Sequence, residues 1–406
     1  MKNFLEFYND LSSDLKHTTL FIFLSYFCVL FSYPLVRSAT SAMFYDVYTS
    51  QEYSMASFIG VVVLMVLISI NNKWQSKIGV HKIYLLTGIL SAVSLLIGFI
   101  GYKLGLGWMT YVIFAIKEAY IVLMVHSCLA FANALYNMIQ FKKLIGPIGA
   151  SGSLGGILGG QLTSVLAKNY GTDLVFFVAL AVILITTVVF YQTRKIKVKG
   201  LEPNKSITPL KAIRGVKKYV LLIASIVALS QFVIYIADLQ FNIVFEKVVV
   251  EKDARTAYLG EFYSYVNTFS IFMQFIVLPF LLVRVSIKAI FFFIPLLYIV
   301  LSIGGLNYGV ASLTVIGAIF ISMKGTDYSL FAASKDVMYH PLLSLQKFGA
   351  KFITDMFVYR TSKAIIAFIF AQIVNLQMDL LTQVQFFFLC LWILVIFILF
   401  KEQKKL

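Results

Sequence analysis

Charged residues are scarce in this sequence. Lys, Arg, Asp and Glu together make up 13% of the 406 residues, whereas 60% are hydrophobic. A water-soluble chain of this length needs more polar surface to cover its core, so the composition excludes a soluble globular protein. Long apolar runs instead predict an all-α membrane protein whose helices contact the lipid bilayer.

Cysteine and histidine are also rare. Cys28, Cys128 and Cys390 all lie inside apolar runs, which favours packed side chains over disulfides. The four histidines show no metal-ligand spacing such as HExxH, and no nucleophile motif such as GxSxG occurs. We therefore expect no catalytic residue, no metal and no cofactor, and we predict that the protein is not an enzyme.

Acidic residues are outnumbered by basic ones, 18 against 34, which gives a formal net charge of +16. This excess can indicate nucleic-acid binding, but its distribution favours membrane topology. With a cytoplasmic N-terminus, the cytoplasmic segments carry 23 Lys and Arg and the outer loops carry five. The positive-inside rule therefore predicts that both termini are cytoplasmic. We expect no nucleic-acid partner, and the short loops suit a bacterial inner membrane.

Apolar runs long enough to cross a bilayer, each of about 20 residues, occur in two sets of six. The first set lies near residues 19–41, 54–71, 83–102, 107–133, 145–167 and 174–192. The second set lies near residues 219–245, 257–282, 288–305, 308–332, 349–374 and 380–400. We number these spans 1 to 12. The sequence thus predicts two six-helix halves, 1–192 and 219–406, joined by a basic cytoplasmic linker, 193–218.

Ionisable residues inside the spans are few and unevenly placed. A charge at the bilayer centre costs at least about 3 kcal/mol, so such residues are expected to face a watery cavity or a partner. The cations are Arg37, Lys117, Lys324, Lys351, Arg360 and Lys363. The anions are Glu118, Asp238, Glu261, Asp327 and Asp355. None of these residues falls in span 3, 6, 9 or 12.

Separated Lys and Arg side chains around one cavity suit a multiply charged anion, and phosphate above all. We predict substrate contacts from Arg37, Lys117, Lys324, Tyr328, Arg360 and Lys363. We predict charge-balancing or proton-coupling roles for Glu118, Asp238, Asp327 and Asp355. Two alternatives stay open: Lys324 and Asp327, spaced i, i+3, could form an internal ion pair, and Tyr328 could serve packing rather than base stacking.

Span 5 contains the glycine-rich stretch KLIGPIGASGSLGGILGGQL. The spacings Gly152–Gly156 and Gly156–Gly160 place small residues one turn apart, which allows two helix backbones to approach closely in a bilayer. A phosphate-binding loop would need a GK[ST] sequence, which is missing. The stretch therefore predicts close packing against a neighbouring helix.

Twelve spans in two halves joined by a basic loop resemble the major facilitator superfamily. That resemblance implies a central cavity lined by spans 1, 4, 7 and 10. Residues 324–363 are also similar to a Lys, Tyr-Ser-Leu-Phe, Tyr-x-Pro-Leu and Arg-x-x-Lys pattern of the nucleotide transporters of plastids and intracellular bacteria, the ATP:ADP antiporter type. Residues 130–162 resemble the same family's Phe-Ala-Asn and Gly-rich segment.

The family resemblance implies a monomeric secondary active transporter that moves a nucleotide by alternating access, as exchange or as proton-coupled symport. The chain departs from the family at Thr40–Ser41, Asn242 and Glu261, where the relatives carry a Lys-Asp pair and two lysines. Two alternatives therefore stay open: a carrier of the same fold for another organic anion, such as a sugar phosphate or lipid headgroup, and a non-transporting receptor or accessory membrane protein.

Overall fold

The computed structural model describes residues 11–196, 209–308, 312–373 and 376–404. These residues form helices that contain the apolar runs, so the prediction of an all-α membrane fold is confirmed. We number the helices by span: α1 Ser13–Tyr45, α2 Ser50–Ile78, α3 Val80–Lys103, α4 Met109–Leu135, α5 and α6 within Met138–Tyr191, α7 Lys217–Val248, α8 Lys252–Phe272 continued to Arg284, α9 Ile287–Tyr308, α10 Leu313–Thr326 continued to Met338, α11 Ser344–Lys351 continued to Ala371, and α12 Met378–Gln403.

Spans 5 and 6 are joined without a loop. The helix Met138–Tyr191 is interrupted only at Gly171, whose φ of 84° is accessible to glycine but strained for other residues. The amide of Thr172, the first residue after the break, donates a hydrogen bond of 2.8 Å to the Asp253 carboxylate. A carboxylate at this position satisfies a free N–H and complements the positive end of the helix dipole. Gly171 therefore divides α5 (138–170) from α6 (172–191).

Nine helices in the described ranges are long and apolar enough to cross a membrane. The number is smaller than twelve because α5 and α6 count as one, and because α10 and α11 are each divided into shorter pieces. The interruptions in α8, α10 and α11 are π-helical segments, at Met273–Val277, Asp327–Phe331 and Phe352–Val358. Such segments widen the helix by one residue and are frequent at functional sites.

The contacts divide the chain into two compact units. The first comprises the described residues of Met1–Val47, Val62–Pro203 and Glu251–Asn267. Its core is rich in buried aromatic rings: Tyr84 stacks on Phe190 with 3.9 Å between the ring centroids, and Phe99 stacks on Phe176 at 4.8 Å. Buried aromatic residues bring large apolar area and a preferred pairing geometry, so these stacks hold α3 against α6.

The second unit comprises the described residues of Tyr48–Val61, Asn204–Val250 and Thr268–Leu406. Trp392 of α12 lies edge-on to Tyr298 of α9, at 5.9 Å, and to Phe331 of α10, at 5.5 Å. The Tyr298 hydroxyl donates a 2.7 Å hydrogen bond to the Met323 carbonyl, which directly precedes Lys324. The aromatic core thus fixes the part of α10 that carries the charged residues.

The division between the units passes through α2 and α8. The first turns of α2 group with the second half of the sequence, and the first turns of α8 group with the first half. The predicted division into 1–192 and 219–406 does not anticipate this exchange. Of the predicted linker, residues 197–208 lie outside the described residues, so its role stays a prediction.

The glycine-rich helix α5 packs closely on two neighbours, as predicted. A Cβ added at Gly155 or Gly159 would collide with backbone carbonyl oxygens of Phe27 and Phe31 in α1. On another face of α5, a Cβ at Gly160 would lie 2.5 Å from the Gly260 carbonyl oxygen of α8. Backbone atoms cannot move aside as a flexible side chain can, so only glycine fits at these positions.

Substitution of Gly159 tests this packing. We expect Gly159→Ala to lower the stability of the folded protein by about 1–3 kcal/mol, because the added methyl group overpacks the contact with Phe31. Gly149→Ala, on the same helix, is the matched control, since a Cβ there meets nothing within 4 Å. We expect Gly149→Ala to be neutral or slightly stabilising. Melting temperatures of the two purified variants in detergent measure the difference, and equal melting temperatures would contradict the assignment.

Candidate functional site

The second unit buries an ion pair in the middle of α10. The Lys324 ammonium lies 3.9 Å from the Asp327 carboxylate, and 3% of the Asp327 side chain is exposed. The predicted i, i+3 pairing is therefore present. The separation is long for an ion pair with direct hydrogen bonding, which spans about 2.7–2.9 Å. Lys324 also lies 4.6 Å from the centroid of the Tyr328 ring, whose side chain is half exposed.

Helices α7 and α11 complete the surroundings of this pair. Gln231 of α7 lies near the Asp327 carboxylate. Tyr359 of α11 lies near this pair. Its hydroxyl interacts electrostatically with Lys324, Asp327 and Tyr328 of α10 and with the neighbouring Arg360. We call Lys324, Asp327, Tyr328, Tyr359 and Arg360 the α10–α11 cluster. Sequence reasoning named four of its members and missed Tyr359, which only the packing of α10 on α11 identifies.

Asp238 of α7 is buried and bonded to neutral partners. The Tyr53 hydroxyl donates to its Oδ2 at 3.1 Å, and the Asn242 amide donates to its Oδ1 at 3.2 Å. Lys324 of α10 also interacts electrostatically with this carboxylate. Sequence reasoning missed Tyr53, because nothing in the sequence indicates that the start of α2 packs on α7.

Arg37 of α1 lies between tyrosine rings in the first unit. Its guanidinium carbon is 4.0 Å from the centroid of the Tyr263 ring and 5.7 Å from that of Tyr33. Planar stacking of this kind holds a guanidinium in place. The two tyrosines are not among the predicted site residues.

Lys117 of α4 has 1% of its side chain exposed, and its ammonium lies 3.6 Å from the Glu118 carboxylate. It also lies 3.4 Å from the centroid of the Phe114 ring. A buried ammonium needs such partners, because an uncompensated charge in a low-dielectric interior is costly. Glu118 is therefore positioned to balance the charge of Lys117.

Asp355 of α11 has its partners at the end of α10. Its carboxylate accepts hydrogen bonds from Lys335 at 2.7 Å and from the Tyr339 hydroxyl at 3.3 Å. Burial and the nearby Asp355 carboxylate raise the pKa of Tyr339, so this hydroxyl stays a donor at neutral pH. Lys351 pairs with Asp336 at 2.8 Å, which makes a second bridge between the same two helices.

The described part of the chain contains no group of three or more His, Cys, Asp and Glu side chains arranged to hold a metal ion. Lys363 is half-buried on α11, one turn after Arg360. Within each unit, considered by itself, cations are held by carboxylates and aromatic rings. Such an arrangement can exchange an internal anionic partner for an external anionic ligand.

The family model of the Major Facilitator Superfamily matches residues 19–338. The chain belongs to the major facilitator superfamily. It is therefore an integral, multi-pass membrane protein and a transporter of this superfamily's type, whose members carry small-molecule substrates and are not enzymes. The predicted resemblance to the superfamily is confirmed.

Solved structures of this fold resemble the chain along nearly its whole length. A bacterial homologue of the iron transporter ferroportin, in an inward-facing state, has a TM-score of 0.68 and 11% identity, over 95% of this chain and 98% of that one. The nucleoside transporter NupG has a TM-score of 0.60 and 13% identity, over 96% and 99%. PepTSo, a transporter of the POT family, has a TM-score of 0.65 and 14% identity, over 96% and 98%.

These identities show a shared fold and leave the substrate open. None of the curated proteins matches the sequence. Membership of the ATP:ADP antiporter family therefore stays a prediction from the motifs of residues 130–162 and 324–363.

The Lys324–Asp327 pair yields a stability prediction. We expect Asp327→Asn to lower the free energy of unfolding by about 2–3 kcal/mol, because the buried ammonium loses its nearest carboxylate. The double variant Lys324→Gln with Asp327→Asn removes both charges, and we expect its free energy of unfolding to return most of the way to the wild-type value. A double-mutant cycle of melting temperatures measures the coupling. Additive losses in the double variant would mean that the two side chains do not stabilise each other.

Proposed function

We propose that the protein is a secondary active transporter that moves a nucleotide of the ATP or ADP type, or a related phosphorylated anion, across a bacterial inner membrane by alternating access. The α10–α11 cluster carries the proposal. It brings together two cations of the second unit, Lys324 of α10 and Arg360 of α11, and its ion pair is too long for direct hydrogen bonding. A phosphate with several charged oxygens would be a stronger partner for Lys324 than Asp327 is at 3.9 Å.

The predicted cations differ in how they can bind phosphate. Arg37 and Arg360 can bind two phosphate oxygens at once through the planar guanidinium, whereas lysines act as point charges. Two of the lysines lie beside carboxylates: Glu118 balances Lys117, and Asp327 balances Lys324. Phosphate would displace these contacts, and Lys363 would add a further cation on α11.

Two modes of energy supply are compatible with the site. Exchange of one nucleotide for another requires only that an anionic ligand neutralises the cations in both directions. Proton-coupled symport requires a carboxylate that titrates during the cycle, and Asp238, which is bonded to Tyr53 and Asn242, is the candidate. Neither mode needs a cofactor or a second copy of the chain.

A smaller phosphorylated anion is the second candidate substrate. In α1, where the nucleotide transporters carry a Lys-Asp pair, this chain has the buried residues Thr40 and Ser41. The Thr40 hydroxyl donates to the Val36 carbonyl at 2.7 Å, as a packed helical threonine does. The chain thus lacks the lysine of that pair, and this is the observation that supports a sugar phosphate or another organic anion as the alternative substrate.

Uptake by intact bacterial cells that express the protein tests the proposal. We expect labelled ATP or ADP to accumulate above the level of cells that lack the protein. Uptake that survives a protonophore and requires internal nucleotide would indicate exchange, whereas uptake abolished by the protonophore would indicate symport. Competition by unlabelled sugar phosphates ranks the two substrate classes.

The variant Lys324→Gln with Asp327→Asn separates recognition from folding. We expect it to reach the membrane in normal amount and to lose at least about tenfold of the uptake, because phosphate loses one charge-assisted contact worth about 1.5–3 kcal/mol. Wild-type uptake by this variant would remove Lys324 from the site. No uptake of any phosphorylated anion by folded wild-type protein would contradict the proposal as a whole.

A further inference from the structure

The start of α2 and the middle of α7 place a carboxylate and three hydroxyl groups together in the second unit. Ser54 and Ser57 are three residues apart on α2, and Tyr235 and Asp238 are three residues apart on α7, so each pair lies on one helix face. The 3.1 Å hydrogen bond from Tyr53 to Asp238 holds the two faces against each other. None of these contacts involves the α10–α11 cluster.

These side chains are almost completely buried. The exposed fraction is 0% for Ser54, 2% for Ser57, 2% for Tyr235 and 6% for Asp238. In an interior of this kind each hydroxyl and each carboxylate oxygen needs a partner, because a buried polar group without one is destabilising.

The three hydroxyl groups do not find their partners in the usual way. Serines inside helices commonly donate to the carbonyl one turn back, as Ser69 of α2 does to Met65 at 3.0 Å. Ser54 and Ser57 do not donate to the backbone; both lie close to the Tyr235 hydroxyl instead. Nevertheless, none of the three hydroxyls forms a hydrogen bond of ordinary length and angle. Several oxygen atoms that approach each other without hydrogen bonding form the kind of surrounding that a cation needs.

The charge of the surroundings selects the type of cation. The bonded partners of Asp238 are the neutral side chains of Tyr53 and Asn242. The lysine that acts on it from α10, Lys324, lies 3.9 Å from a carboxylate of its own, Asp327. One carboxylate therefore contributes one negative charge to the group, which a monovalent ion neutralises. Carboxylate and hydroxyl oxygens are hard ligands, whereas the soft ligands that select copper or zinc are missing from this group.

We propose that Asp238, Ser54, Ser57 and Tyr235 form a binding site for an alkali-metal cation between α2 and α7. The ion would receive oxygen ligands from both helices and would hold the start of α2 on the second half of the chain. Binding of the ion does not depend on the identity of the substrate. Only its further consequence, that the ion gradient drives uptake, rests on the proposed transport function.

The melting temperature of the purified full-length protein tests the site, with Na⁺ as the probe. NaCl replaces choline chloride stepwise in detergent solution at constant pH and constant total salt. We expect the melting temperature to rise by about 2–4 °C and to saturate, since a ligand that binds only the folded state stabilises it in proportion to its occupancy. No rise as NaCl replaces choline chloride would overturn the proposal.

Three variants locate the effect. Ser57→Ala removes a ligand and Asp238→Asn removes the charge while keeping a partner for Tyr53, so we expect both to lose the Na⁺-dependent rise. Ser69→Ala is the matched control on α2, because the Ser69 hydroxyl is bonded to its own helix, and we expect it to keep the full rise. An undiminished rise in both Ser57→Ala and Asp238→Asn would place the bound ion elsewhere and overturn the assignment.

The outcome is independent of the transport assay. A Na⁺-dependent rise that is lost in Ser57→Ala, together with no uptake of phosphorylated anions, would support the ion site and contradict the proposed substrate. Nucleotide uptake without any Na⁺-dependent rise would support the substrate and overturn the ion site.

Discussion

The free-energy cost of a charge in an apolar interior is the constraint on which the structure depends. It explains why 60% of the residues are hydrophobic and why the few charges inside the helices have partners. Lys117 is held by Glu118 and Phe114, Lys324 by Asp327, and Arg37 by the rings of Tyr33 and Tyr263. The proposed recognition of an anion would give these internal cations a role in transport.

The backbone is irregular where the charges are. In α10 the π-helical segment begins at Asp327, and in α11 a similar segment contains Asp355 and ends one residue before Tyr359. A π-helical segment rotates the residues that follow it relative to those that precede it, so it determines which faces of α10 and α11 meet. In the first unit, by contrast, α5 is regular where it packs on α1, and Gly155 and Gly159 allow the two backbones to approach closely.

Much of the fold could be predicted from the sequence, because hydrocarbon thickness sets the length of each apolar run. The spans, the close packing at Gly152–Gly160 and the pairing of Lys324 with Asp327 all follow from local spacing. The direct passage from α5 to α6 could not be predicted, since it depends on one glycine and on Asp253, which is distant in sequence.

Within the site, prediction succeeded for the charged residues and failed for their uncharged partners. Charges inside apolar runs are conspicuous, whereas Tyr53, Tyr263 and Tyr359 are three among 23 tyrosines and carry no local signal. Their roles arise from contacts between helices that are far apart in the sequence, such as the 3.1 Å bond from Tyr53 to Asp238. The same reason explains why the exchange of the first turns of α2 and α8 between the units was not foreseen.

The central claim is that the internal cations recognise phosphate, and the most direct measurement is the melting temperature of the purified protein with ATP, ADP, a sugar phosphate or adenosine. The account predicts stabilisation that saturates with at least one phosphorylated compound, none with adenosine, and loss of the effect in the double variant Lys324→Gln with Asp327→Asn. Stabilisation by adenosine alone, or a phosphate effect that is unchanged in the double variant, would contradict it.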